Sequence, residues 1–385
     1  MSKKFYLEFV FLLFLGSITS LSLPPYNFLL INFITFTLFF IFLIRKTKKN
    51  KKLAFFYGWL FGFGYFVTNI YWITISLTFD ETFKLLIPIS ILLVPGFLAI
   101  FYGFISYLFI IFKPKKIIAS LFFFSLIFGL IEFVRGKILT GFPWNLIAYS
   151  FSNQLEILSI TSILGTYGFN LFCISLFVSP ALFFINNSKK DILLIIFFSL
   201  IIGFFYFYGS SKHSNFEKAD IKKYSHKIRI IGSNINLDRF YHNVDPTFII
   251  TELIQISEPA KDEKIIFIWP EGILPSIYQD ELNEYFQLFE NKFNKNHFLV
   301  IGINSRSLGE SEKKYFNSLA IYDHKLKLIN SYSKINLVPF GEFLPFEKVL
   351  KRFGLKTIAN DYQSFSRGSE RKVIKINQEN FSIKF

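Results

Sequence analysis

The chain has 385 residues, of which 52 % are hydrophobic, 20 % aromatic and 18 % charged, with a formal net charge of +15 at pH 7. A water-facing surface needs more polar side chains than this, so the composition argues against an ordinary soluble domain and for a membrane protein. The positive charge does not imply nucleic acid, because thirteen of the 42 Lys and Arg residues lie in four clusters, Lys3–Lys4, 45–52, 113–116 and Lys189–Lys190, each abutting an apolar run.

Seven apolar runs follow one another at about 5–23, 28–44, 53–77, 85–112, 117–134, 153–185 and 192–209. Each is near the length that a bilayer core requires of a helix. The first has a Lys pair ahead of its apolar core, as a signal peptide does; six further spans behind it favour a retained helix. The four basic clusters fall on alternate connections, while "PPYN" (24–27) and "TFDET" (78–82) contain no Lys or Arg. Basic connections stay in the cytoplasm. The loop 135–152 and everything after the seventh run are therefore expected outside it. Cys173, the one cysteine, lies inside the sixth run, which excludes an intrachain disulfide and a thiolate metal site.

The membrane domain is placed at 1–209. From about 210 charges become frequent, and short strand patterns occur at 227–235, 264–269, 297–303, 318–323, 325–331 and 372–377. Helical patterns lie between them at about 246–259 and 280–293. Strands alternating with helices, then adjacent strands, predict an α/β domain with a mixed sheet over 210–385. The five His (213, 226, 242, 297, 324) show no metal-ligand spacing, so no zinc site is expected.

Two stretches of this domain end an apolar strand on charge. "KIIFIWPEGILP" (264–275) sets Glu271 at the C-terminal edge of a buried strand, where open α/β sheets bind ligands. The plain alternative is a solvated turn acid. "YSKINLVPFGEFLPFE" (332–347) sets Lys334 just after a strand pair and Glu342 among Pro and Gly, where loop decoration is the ordinary reading.

Together these residues resemble the nitrilase superfamily, and within it the bacterial apolipoprotein N-acyltransferases. The resemblance covers nearly the whole chain. It is carried by "PPYN" (24–27), "GWLFGFGYFVTNIYWI" (58–73), "RGKILTGFPWNLIAYS" (135–150) and "LGTYGFN" (164–170) in the membrane half. In the second half it is carried by "SNI" (233–235), "WPEGILP" (269–275), "YFNS" (315–318) and "KINLVPFGEFLP" (334–345). The resemblance implies a membrane helical bundle joined to a periplasmic αββα sandwich in the bacterial inner membrane. It also implies transfer of a phospholipid acyl chain, through an enzyme thioester, to the N-terminal diacylglyceryl-cysteine of an apolipoprotein. No metal or organic cofactor is implied, and the partners are phospholipid, apolipoprotein and bilayer, not nucleic acid.

A thioester route needs a thiolate, a base to activate it, and a cation or donor to hold the oxyanion. By resemblance Glu271 is the base, Lys334 the cation and Glu342 a third acid that holds Lys334 or shapes the entrance; Asn317 and Tyr241 are accessory, Tyr241 standing where the family usually has Trp. The family's nucleophilic Cys is expected just past "NFSIKF" (380–385), and the chain as given lacks it, so the domain is read as C-terminally incomplete. Two alternatives remain at this point: a catalytically inactive form, and a membrane-bound nitrilase-type amidase. For lipid access, Phe340 and Phe343 in the 338–354 stretch, and Arg135 and Trp144 in the outward loop, are the candidate interfacial residues.

Overall fold

The computed structural model describes residues 3–47, 50–78, 81–138, 141–219, 226–234, 244–308, 313–339, 341–343, 364–371, 373–376 and 381–384. The chain divides into two compact units, Met1–Asp220 and Ile221–Phe385.

The first unit is helical: α1 (Lys3–Thr19), α2 (Ile31–Lys46), α3 (Lys51–Ile70), α4 (Ile87–Phe112), α5 (Ile117–Arg135), α6 (Leu155–Leu158), α7 (Thr161–Val178), α8 (Ala181–Ile185) and α9 (Lys189–Glu217). Among the described residues six helical stretches are long and apolar enough to cross a bilayer. The expected second span is not one of them. α2 has 16 residues, a rise of about 24 Å against a hydrocarbon core of roughly 30 Å. Ahead of it the chain turns at Phe28–Leu30, with Ile31 N donating to Phe28 O. α2 is nonetheless central, because Phe36, Phe39, Phe40 and Leu43 are completely buried. The expected sixth span is broken into α6, α7 and α8, and α7 kinks at Gly165, whose φ of 68° suits glycine. α9 runs on to Glu217, past the expected end at 209. It begins with a capping box, in which Ser188 Oγ accepts from Asp191 N and the Asp191 carboxylate accepts from Ser188 N.

Small residues let the helices approach closely. A Cβ on Gly16 would sit 2.0 Å from Phe61 O, and one on Gly64 2.2 Å from Leu13 O, so α1 and α3 touch backbone to backbone. Gly58 and Gly62 do the same for α3 against Tyr102 and Ser106 of α4. Outside, Leu7, Phe14, Leu93, Leu193 and Leu200 are more than half exposed. Water would penalise such a surface; lipid tails would not.

The second unit holds a five-stranded sheet in the order β1 (Lys227–Ile230), β2 (Ile265–Tyr278), β3 (His297–Leu308), β4 (Lys313–Asp323), β5 (Leu328–Ser333). β1, β2 and β3 are parallel; β4 and β5 add antiparallel. The side-chain period of two sorts the sheet into faces. Ile265, Phe267 and Trp269 join Leu299 and Ile301 beneath α10 (Pro246–Ser257) and α11 (Phe286–Phe289). Ile266 joins Phe298, Val300 and Ile321 on the other face, together with Ile374. Ile374 belongs to β6 (Val373–Ile376), which pairs antiparallel with β7 (Phe381–Lys384).

α10 starts as the sequence predicts: Asp245 caps it by accepting from Thr247 N at 2.9 Å, with Pro246 at the first helical position. Arg229 of β1 donates to Ser257 O and Glu258 O, satisfying carbonyls at the helix end. The second expected helix is cut down to a 3-10 turn, Leu282–Tyr285, and the four-residue α11.

Candidate active site

β2 does not end at Trp269. It pairs Trp269 with Ile301 and next pairs Leu274 with Ile303, so five steps along β2 oppose two along β3. Three extra residues are thus thrown out of the ladder between the two pairs, and Glu271 is in that bulge. A bulge re-aims a side chain out of a sheet's normal alternation. Gly272 makes this one feasible with φ at 60°. The bulge is anchored by Trp269, whose buried indole Nε1 donates to Ser257 Oγ at 3.0 Å. It lies directly on Gly302 of β3, where a Cβ would come within 2.5 Å of Glu271 Cα and Pro270 O. Glycine inside a strand signals such a close approach; Gly302 is a residue that the motif reading passed over.

Lys334 follows β5 and is fixed by its backbone. Its N donates to Asn317 O at 2.8 Å, and its O accepts from Gly368 N at 2.9 Å. Its Nζ donates to Glu271 Oε1 and Glu342 Oε1, each at 2.9 Å. Asn317, on β4, donates from Nδ2 to the same two oxygens, at 2.6 Å and 2.5 Å. Glu342 is held in turn by Val338 N, which donates to Oε2 at 2.7 Å, and by its own N donating to Val338 O at 2.8 Å. Four of the residues singled out in the sequence, Glu271, Asn317, Lys334 and Glu342, therefore form one cluster. Two carboxylates face one ammonium and one amide.

The electrostatics are those of an ion-paired cluster. Partial burial pushes the Glu271 carboxyl up, but hydrogen bonds from Lys334 and Asn317 outweigh it and hold the group below its ordinary value of 4.5. Burial pushes Lys334 down, but its bonds to Glu271 and Glu342 hold it above its ordinary 10.5. At neutral pH Glu271 is an ionised acceptor and Lys334 a full cation. The Glu342 side chain is 12 % exposed and that of Glu271 61 %, so Glu342 supports from behind while Glu271 faces the open side.

The remaining candidates separate. Tyr241 and Phe340 lie outside the described residues, as do 344–354. Phe343 is half-buried, with the Arg367 guanidinium 5.8 Å from its ring centre. Trp144 is half-exposed and stacks on Trp72 at 5.1 Å, an aromatic pair on the surface of the helical unit. Arg135 corrects the sequence reading, which put it at the lipid interface: it is 1 % exposed. It turns inward at the end of α5, bonds Glu132 Oε1 at 3.4 Å, and donates to Phe142 O and Trp144 O at 2.9 Å each. Glu132, itself completely buried, also accepts from Tyr102 and Asn170. A charge with such partners is cheaper inside than alone in lipid. Cys173 is completely buried in α7 and offers no accessible thiol.

Comparison with known proteins points in one direction. Residues 15–179 match the model of the apolipoprotein N-acyltransferase N-terminal domain. The chain is 29 % identical over 379 residues to an apolipoprotein N-acyltransferase from Rhizobium leguminosarum bv. trifolii, covering 93 % of this chain and 70 % of that one. It is 27 % identical to the enzyme of that name from Brucella melitensis and 28 % to that from Rhodopseudomonas palustris, each over 94 % of this chain and 70 % of the relative.

Proposed function

We propose that this chain is an enzyme of the apolipoprotein N-acyltransferase kind, a reading supported by the family-model match over residues 15–179 and by relatives of that name at 27–29 % identity, and that the Glu271–Lys334–Asn317–Glu342 cluster is its acyl-transfer centre. The observation that carries the proposal is the sharing of Glu271 Oε1 by Lys334 and Asn317, which brings base and cation to one point.

The chemistry follows from charge. A thiol brought to the cluster meets an ionised Glu271 carboxylate, which accepts its proton as sulfur attacks the acyl carbonyl of a phospholipid. The carbonyl oxygen becomes an oxyanion, and the Lys334 ammonium beside Glu271 stabilises it. Collapse of that intermediate expels the lysophospholipid alkoxide, which takes the proton back from Glu271 and leaves a thioester. In the second half the α-amino group of a diacylglyceryl-cysteine attacks the thioester. Glu271 again takes a proton, the amide forms and the thiol is released. Glu342 and Asn317 touch neither thiol nor substrate in this scheme; Glu342 positions Lys334, and Asn317 positions the Glu271 and Glu342 carboxylates. Cys173 has no part in it. The unit carrying the cluster faces the periplasm, the placement supported by the distribution of Lys and Arg over the connections.

The test uses the protein expressed from its full reading frame, reconstituted with phospholipid and a diacylated lipopeptide, with the N-acylated product read by mass spectrometry. Wild type is expected to transfer, and Glu271→Gln to lose about 10²–10⁴-fold, the usual contribution of a general base. Full activity of Glu271→Gln, or an inactive wild type, would overturn the proposal.

A further inference from the structure

At one end of the helical unit, between α1, α2 and α3, is a cavity of about 280 Å³. Three cations reach it: Lys4 from the first turn of α1, and Arg45 and Lys46 from the last turn of α2. One carboxylate, Glu8, opposes them. Glu8 is already engaged, with Lys46 Nζ at 3.1 Å from Oε1 and the Tyr57 hydroxyl donating to Oε2 at 2.5 Å. Arg45 spends one weak bond on Phe184 O at 3.4 Å. Among the described residues neither Lys4 nor Arg45 makes an ion pair. Glu8 acts on Lys4 only at longer range, so the cavity holds three cations against one carboxylate, and two of the cations are without a direct ion pair.

The rest of the cavity is apolar. Phe5 and Leu53 line it, and Phe5 stacks on Phe56 at 5.9 Å, with Phe9 against the same ring at 6.4 Å. α1 and α3 are among the helices long and apolar enough to cross a bilayer. Lys4 and Leu53 sit at the ends of these helices, the parts of a spanning helix that reach the lipid headgroups. A cationic rim beside an apolar wall of Phe5 and Leu53, between helix ends, matches an anionic headgroup above an acyl chain.

We propose that this cavity is a binding site for an anionic phospholipid, with Lys4 and Arg45 on its phosphate and Phe5 and Leu53 along the start of its acyl chain. The site differs from one that merely orients the chain. Orientation signals act through charge count near the helix ends, whereas this site depends on which cations line the cavity. It stands apart from the acyl-transfer centre, and neither proposal rests on the other.

The test is native mass spectrometry of the full chain in detergent with phosphatidylglycerol, phosphatidylethanolamine or inorganic phosphate added. Phosphatidylglycerol is expected to be retained about tenfold better than phosphatidylethanolamine. The double substitution Lys4→Gln with Arg45→Gln should abolish that preference. Removing the same charge at Lys189 and Lys190, which do not line the cavity, should leave it intact. Equal retention of the two lipids, or an equal loss in the Lys189/Lys190 variant, would overturn the site. Displacement of phosphatidylglycerol by inorganic phosphate would assign the cavity to a soluble anion and overturn the lipid reading. Melting temperatures are read alongside; should the double variant unfold early, Lys4→Gln alone is judged by the same preference.

Discussion

At the residue scale, the cluster rests on small side chains as much as on charged ones. Gly302 leaves room for the bulge carrying Glu271, and a methyl there would meet backbone, which cannot swing aside. Gly302→Ala is expected to displace Glu271 and lower transfer by about 10²-fold, since a misplacement near 1 Å costs that much; undiminished activity in the N-acylation assay would contradict this. The ion pair sets a pH dependence with a definite sign. Glu271 is depressed below 4.5, so its stabilising contribution is present above that value and is lost as pH falls through the depressed one. Lys334 is raised above 10.5, so its contribution is present below that value and is lost only as pH rises through the raised one. The difference in melting temperature between wild type and Glu271→Gln should therefore hold steady from about pH 6 to 9 and shrink below 4.5. A difference that vanishes near neutrality would exclude the ion pair. Glu271, Lys334, Glu342 and Asn317 were legible because each stands in a motif quoted from the sequence. Gly302 carried a readable signal, an interior strand glycine, but nothing in one dimension says what approaches it. Arg135 misled for the opposite reason: a loop-edge charge reads as exposed, and Glu132, its ion-pair partner on the same helix, is held by Tyr102 and Asn170 from two other helices.

At the element scale, capping chemistry sets two helix starts. Asp245 and Pro246 mark the start of α10, and Ser188 with Asp191 marks that of α9. Asp245→Ala is expected to lower the denaturation midpoint of the second unit, because Thr247 N loses its side-chain acceptor; no change would mean that the cap is idle. Elements were misjudged where tertiary contacts decide. β2 reads as ending at Trp269, because Pro270 and Gly272 usually break a strand, yet pairing to β3 resumes at Leu274 and carries it to Tyr278. α2 reads as a full span because Phe28–Leu30 are apolar, but those residues form a turn. The sixth apolar run reads as one helix because hydropathy is blind to the kink at Gly165.

At the scale of the whole molecule, an α/β unit is tethered to a helical unit whose outer surface suits lipid. A phospholipid donor and a lipid-anchored protein acceptor, the partners proposed above, both reside in the bilayer, so an enzyme acting on them gains by sharing their membrane. We propose that the unit carrying the Glu271 cluster lies on the side of the membrane opposite the basic connections of the helical unit. Side-specific thiol labelling in intact cells tests this most directly, in a Cys173→Ser background with one new cysteine at Lys313 or at Asn50, both exposed positions. Lys313→Cys is predicted to react with an inner-membrane-impermeant maleimide before the inner membrane is opened, and Asn50→Cys only afterwards. Labelling of Lys313→Cys only after permeabilisation would contradict the account.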